Sequence, residues 1–261
     1  MCFFSEDLMA KTVFSWEVEQ ERVTLFLFPG LEVNSDAVWK AITDTAPDEV
    51  TNRPALRTTT MVGDFESGKL TLNATSQRVD IIYSPNPNFH EVNPSKGFAV
   101  LGARGALGKT FVDAVSKCFP DCPKATRLAY GATMLKILPS KKESYEALAS
   151  LLPSVKLDTE NSSEFQYSIN RPRMSKISPE LKINRISKWN GLKVSLASFN
   201  FSGQANVQIS APDFIEHAAR LEVDISTDEE KTDEILSVNI VNFLNEMYEM
   251  AEEICISGDV K

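Results

Sequence analysis

The chain has 261 residues, 43% hydrophobic and 24% charged, with a formal net charge of −9 and a pI near 4.9. That balance suits a folded core and excludes a low-complexity or disordered chain, while the acidity argues against a dedicated nucleic-acid binder. No apolar run has the length of a membrane-spanning helix, and MCFFSEDLMAK lacks a basic region ahead of an apolar stretch, so a cytoplasmic protein is expected.

In chain order, residues 12–28 read as two strands on either side of Glu19-Gln20-Glu21, ended by Pro29-Gly30. Ser35 is the expected cap of a short helix running to Asp44, with Val38, Trp39 and Ile42 on one face. Residues 55–84 alternate as an antiparallel meander with turn signals at Gly63-Asp64 and Ser67-Gly68. Prolines and asparagines make 85–97 a loop, and Leu107, Phe111, Val115 and Cys118 place a helix over 106–119. A long strand over 124–138 with a kink at Gly131, a helix over 142–152 and an alternating stretch over 164–173 follow. Strands at 181–186 and 192–201 are expected to meet in a turn at Asn190-Gly191, and 194–212 carries no charge. After a strand at 220–225, the apolar stripe of Leu236, Ile240, Phe243, Met247, Ala251 and Ile254 predicts a helix over 232–257, stopped by Gly258.

The pattern predicts an α+β fold: antiparallel meander sheets, a few packed helices and a long C-terminal helix, in one domain over 1–261. Arg78 near Asp80 and Arg220 near Asp224, with Ile-Asn-Arg at 169–171 and 183–185, raise the prospect of two related halves, 1–122 and 123–261.

Charge is segregated. Residues 171–193 hold Arg171, Arg173, Lys176, Lys182, Arg185, Lys188 and Lys193 against Glu180 alone, whereas 213–261 hold fourteen acids and three bases. Arg171, Arg173 and Arg185, with Lys188 and Trp189, form the candidate anion- or partner-binding site, where guanidinium groups would grip phosphate and Trp189 would stack. The competing reading is that these bases pair with the acidic C-terminal region or with a sister subunit.

ARGALGKT at 103–110 fits a relaxed phosphate loop, in which backbone amides near Gly108 would cradle phosphates, Lys109 would reach them and Thr110 would hold magnesium. No apolar strand ending in Asp follows to complete it. Asp213 with Glu229-Glu230-Lys231 traces a nuclease-like pattern that a Thr227/Glu230 capping box explains more simply. Cys118 and Cys122 supply half of a zinc site with no second pair, and His90 and His217 have no nearby nucleophile. No cofactor, metal or catalytic residue is expected.

RLAYGATMLKILPSKKESYEALASLLPSVKLD from Arg127, SSEFQYSINRPRMS from Ser162, LKINRISKW from Leu181 and RLEVDIS from Arg220 resemble a group of uncharacterised bacterial proteins of about 260 residues. That group lies within a sporadically distributed bacterial family of unknown function. The resemblance implies a bacterial cytosolic α+β protein and brings no catalytic residues. Two functional expectations stand. The first is a non-catalytic protein-binding or adaptor protein in a multi-gene bacterial system, such as phage defence, with a protein partner or self-association and no membrane. The second is a nucleotide- or nucleic-acid-binding protein using 171–193, with NTPase activity through 103–110.

Overall fold

The computed structural model describes residues 15–93, 96–122, 124–196, 199–202, 206–209, 214–230, 234–235 and 237–259. Expectations for residues 12–14, Asp213, Lys231 and Leu236 lie outside them. The fold is α+β, built on one antiparallel sheet of eleven strands. The chain opens with β1 (Glu17–Leu27) and α1 (Ser35–Thr43), then the meander β2 (Glu49–Arg53), β3 (Thr58–Phe65), β4 (Gly68–Ala74) and β5 (Arg78–Ser84). A short α2 (Phe89–Val92), β6 (Gly102–Ala103) and α3 (Arg104–Ser116) lead to the central β7 (Ala125–Leu138) and α4 (Lys141–Leu151). Then come β8 (Gln166–Asn170), β9 (Arg173–Met174), β10 (Lys182–Leu196), β11 (Phe199–Ser202), β12 (Asn206–Ile209), β13 (Phe214–Thr227) and α5 (Ser237–Ser257).

The main path across the sheet is β2-β3-β4-β5-β1-β7-β13-β10-β8, with β6 on β1 and β9 on β10; β11 and β12 form a separate pair. Each half puts its first strand at the centre and its last strand beside it: β5 next to β1, and β13 next to β7. The halves join where β1 and β7 pair antiparallel, Val23 opposite Tyr130.

One face of the sheet carries the core. Val23, Leu25, Leu70, Leu72, Ile81, Leu128, Met134, Leu221, Val223 and Ile225 alternate inward and are fully buried or nearly so. The helices cover this face. Ile240, Phe243, Leu244, Met247, Met250 and Ile254 of α5 pack into the same cluster. Burial of each such side chain contributes about 1.5–3 kcal/mol, which is why a 3.6-residue apolar stripe docks a helix. A smaller cluster of Phe98, Val100, Leu135 and Ala218, with Phe89, Leu192 and Val194 against it, sits on the other face at one end.

Several expectations change in detail. Residues 17–27 form one strand, not two, with a bulge that shifts the register between Val18 and Gln20. Asn34, not Ser35, caps α1, its side chain accepting from the Ala37 amide at 3.1 Å. Asn190-Gly191 lies inside the continuous β10 rather than in a turn. A Cβ on Gly191 would stand 2.2 Å from the Tyr145 ring, so the glycine serves close packing of α4. Thr227 does not box with Glu230. Its buried hydroxyl bonds the Leu128 amide at 3.1 Å, and Glu230 N donates to Asp228 at 3.2 Å.

Candidate functional site

The arginines of 171–193 meet the C-terminal helix. Arg171 Nε and Nη2 donate to the two carboxylate oxygens of Asp259 at 2.5 and 2.8 Å, and the Tyr167 and Ser154 hydroxyls donate to the same group at 3.1 and 3.2 Å. Arg173 forks onto Glu253 at 2.7 and 2.9 Å, while Arg185 Nη2 lies 3.5 Å from Glu253. Glu246 accepts from the Ser175 hydroxyl and the Lys176 amide, both at 2.6 Å. Backbone geometry sets this up. Gly258 adopts φ 76 after the last turn of α5, its amide bonds Ile254 O at 2.9 Å, and the Asp259 amide bonds Leu151 O at 2.9 Å.

The electrostatics follow. Hydrogen bonding from Arg171 holds the Asp259 carboxyl below its usual range, and Arg173 does the same for Glu253. Burial pushes the Arg185 guanidinium below its usual value; its side chain is 2% exposed and its Nε has no hydrogen-bond partner among the described residues. The structure therefore brings Arg171, Arg173 and Arg185 together, but against carboxylates of their own chain. Lys188 projects from the opposite face and pairs with Glu222 at 2.8 Å. Trp189 is fully buried, donates to Ser187 Oγ at 3.0 Å and packs on Trp16 with ring centroids 6.3 Å apart. A ring so enclosed offers no stacking platform, which corrects that expectation.

The 103–110 segment is not built as a phosphate cradle. Gly102–Ala103 pairs antiparallel with β1, and Gly108, Lys109 and Thr110 lie in the turns of α3. Lys109 Nζ pairs with Asp113 at 2.5 Å and bonds Asn245 at 3.2 Å. A Cβ on Gly108 would stand 3.0 Å from the Tyr248 ring, so this glycine admits α5. A cradle needs open space for a ligand before its glycine, and here the Tyr248 ring and the Glu21 carboxylate stand against Gly108 while Lys109 is held by Asp113 and Asn245.

Sequence reasoning missed a buried network centred on Arg104 at the start of α3. Its Nη1 donates to Glu21 at 2.7 Å and its Nη2 to the Tyr130 hydroxyl at 2.9 Å, while its Nε donates to Glu252. The Tyr130 hydroxyl also donates to Glu21, and the Tyr248 ring lies 5.4 Å from the guanidinium carbon. Glu21 is completely buried and Arg104 is 4% exposed. Burial pushes the Glu21 carboxyl above its usual range, against the pull of Arg104 and Tyr130, and it pushes the Tyr130 hydroxyl well up. The network joins β1, β7, α3 and α5; its Glu21, Tyr130 and Arg104 are closed to solvent and of the hydrogen-bonded groups only Glu252 reaches the surface, so it fixes packing rather than receiving a substrate.

The sheet face away from the helices presents another array. Arg22 pairs with Asp224 at 3.5 Å, Arg220 with Glu19 at 3.2 Å, Arg78 with Asp80 at 2.7 Å and Arg127 with Glu229 at 3.7 Å. The Arg127 guanidinium sits 4.9 Å over Phe26. These side chains are largely half-exposed, and on this side α2 covers one end of β7 and β13, its Phe89 packing beside Leu135 and Ala218.

Among the described residues, no group of three or more His, Cys, Asp or Glu side chains is placed to hold a metal ion. Cys118 and Cys122 are free, with sulfurs 3.6 Å apart. His90 Nδ1 lies 3.1 Å from Lys96 O. His217 sits in β13 opposite Lys193 and Leu138, and burial followed by Lys193 and Lys141 holds its imidazole below the usual value. No described helix is long and apolar enough to cross a membrane. No family model, curated protein or solved structure matches the chain.

Proposed function

We propose that this chain is a non-catalytic protein-binding module that presents the Arg22–Arg220 face of its sheet, beside the end covered by α2, to another polypeptide. The observation that supports it most is the charge chemistry of that face. Arg22, Arg78, Arg127 and Arg220 stand among Asp80, Glu222 and Asp224, with Phe26, Ile82 and Ile186 between them. Arginine and aromatic side chains are enriched at protein interfaces, and balanced signs suit a protein surface of mixed charge. A nucleic-acid backbone calls instead for an excess of unpaired cations.

The test is capture from cell extract with wild-type protein and with a double variant, Arg22→Glu with Arg220→Glu. A polypeptide retained by the wild type and lost from the variant, at an unchanged urea midpoint, is the expected result. Equal retention by both, or magnesium-dependent nucleotide turnover by the purified chain, overturns the reading.

A further inference from the structure

One edge of the sheet is a strand exposed on both faces. β2 pairs with β3 from Glu49 opposite Val62 to Arg53 opposite Thr58, and its other edge meets no strand among the described residues. All five of its residues are exposed, so the strand buries little against the entropy of ordering it. Its ladder with β3 keeps one register without a bulge, and the strand holds no proline or lysine. An open, regular edge of this kind is a template for another strand.

Charge complementarity selects the strand that fits. Set antiparallel against a second copy of itself, EVTNR is self-complementary about Thr51. Glu49 of each copy then faces Arg53 of the other, Val50 faces Asn52, and Thr51 faces Thr51. Directly opposed residues share a sheet face, so the two ion pairs and the Thr51 pair lie on the side of Val62, Thr60 and Thr58. On the side of Met61 the two Val50 side chains, each 50% exposed, approach diagonally. Opposite charges and paired threonines are favourable in such positions. Neither Glu49 nor Arg53 has an ionic partner among the described residues. A two-fold axis normal to the sheet keeps every side chain on its face, so the register moves only in steps of two residues. One such slip sets Pro54 against Val50, the other sets Pro47 against Arg53, and both break the ion pairs. A proline gives no amide to a ladder.

We propose that β2 is a homodimer contact, in which two copies pair their β2 edges antiparallel about Thr51 and join their sheets into one. The contact is isologous, so it closes at two copies. One pair of short strands falls below the roughly 1,000 Å² that a permanent interface clears, so the dimer forms as concentration rises. No residue of β2 belongs to the sheet face proposed for a polypeptide, and the two contacts stand independently.

Sedimentation equilibrium of the full chain over a concentration series at low salt tests this. Wild type is expected to pass from monomer to dimer mass. Glu49→Arg and Arg53→Glu are each expected to weaken the dimer by about tenfold, since each turns two attractive pairs into two like-charge pairs. Mixing the two single variants, or combining both changes in one chain, is expected to restore the dimer, because either sets opposite charges across the strand pair again. Should a single variant fail to fold, wild type and the doubly exchanged chain, both expected to be dimers weakened by added salt, carry the test alone. A monomer at every concentration overturns the proposal. So does a dimer that the single variants leave intact, a mixture that stays monomeric, or growth past the dimer through a head-to-tail contact with the β8 edge.

Discussion

Arginines hold α5 on two flanks, and the flanks differ in how much water reaches them. At one, Arg104 and Glu21 are 4% and 0% exposed and must satisfy each other. At the other, the Arg171 and Arg173 side chains are 26% and 33% exposed and Glu253 is 37% exposed, so water reaches these groups, although the Asp259 carboxylate is itself only 2% exposed. The pairing chemistry is the same, yet the cost of breaking it is not. A buried pair adds little net stability when intact but is expensive to break, because the surviving charge stays desolvated. A pair whose two members both meet water, such as Arg173 with Glu253, is cheap in both directions.

Breaking the buried flank should have the largest effect. Arg104→Ala is expected to cost about 3–5 kcal/mol in urea unfolding, because Glu21 is left uncompensated. The double variant Arg104→Met with Glu21→Leu should recover much of that loss. A single-variant cost below about 1 kcal/mol would mean that water reaches the network.

Gly258→Ala comes next, at about 2 kcal/mol. The new residue must hold a left-handed backbone, and its Cβ would stand 1.9 Å from Leu151 O. Asp259→Ala should cost about 1.5 kcal/mol, the low end for hydrogen bonds to a charged group, since its arginine partner is partly solvated.

The flanks should also answer pH with opposite signs. Asp259 titrates below its usual range when folded, so its contribution is present above the ordinary carboxylate value and is lost as pH falls through the folded value. Glu21 titrates above its usual range, so its contribution is present at acid pH and is lost as pH rises through the folded value. Urea midpoints across a pH series for Asp259→Asn and Glu21→Gln, each taken against wild type, should therefore diverge in opposite directions. Parallel curves would show that the two carboxylates feel the same environment.

Smallest of all is Lys69→Ala. Asp48 and Asp64 lie 2.7 and 2.8 Å from this ammonium and push it up to about 12, yet the group is open to solvent. Its removal should leave the urea midpoint unchanged.

The sequence made α5 and the strands of 55–84 legible because their apolar spacing is regular and the packing follows that spacing. It made the pairing of 171–185 with acids near the C-terminus conceivable through charge segregation alone. Glu21 stayed hidden because the bulge at Glu19 shifts the strand's phase by one residue, turning an apparently polar break into an inward position. Gly108 and Gly191 misled for a shared reason. Each reads locally as a loop or turn residue, but each is small because an aromatic ring, Tyr248 or Tyr145, comes against it from a distant helix.

The Arg104 network also has a bearing on the order in which the protein can be made. Arg104 follows Glu21 by 83 positions and precedes Glu252 by 148. During synthesis, β1 can pair with β5 long before Glu252 exists, so the nascent first half must carry Arg104 without its outer carboxylate and Glu21 without the Tyr130 hydroxyl. Contacts of such long range delay the final closure of the fold. The first half is therefore expected to lack these two partners until β7 and α5 have been made.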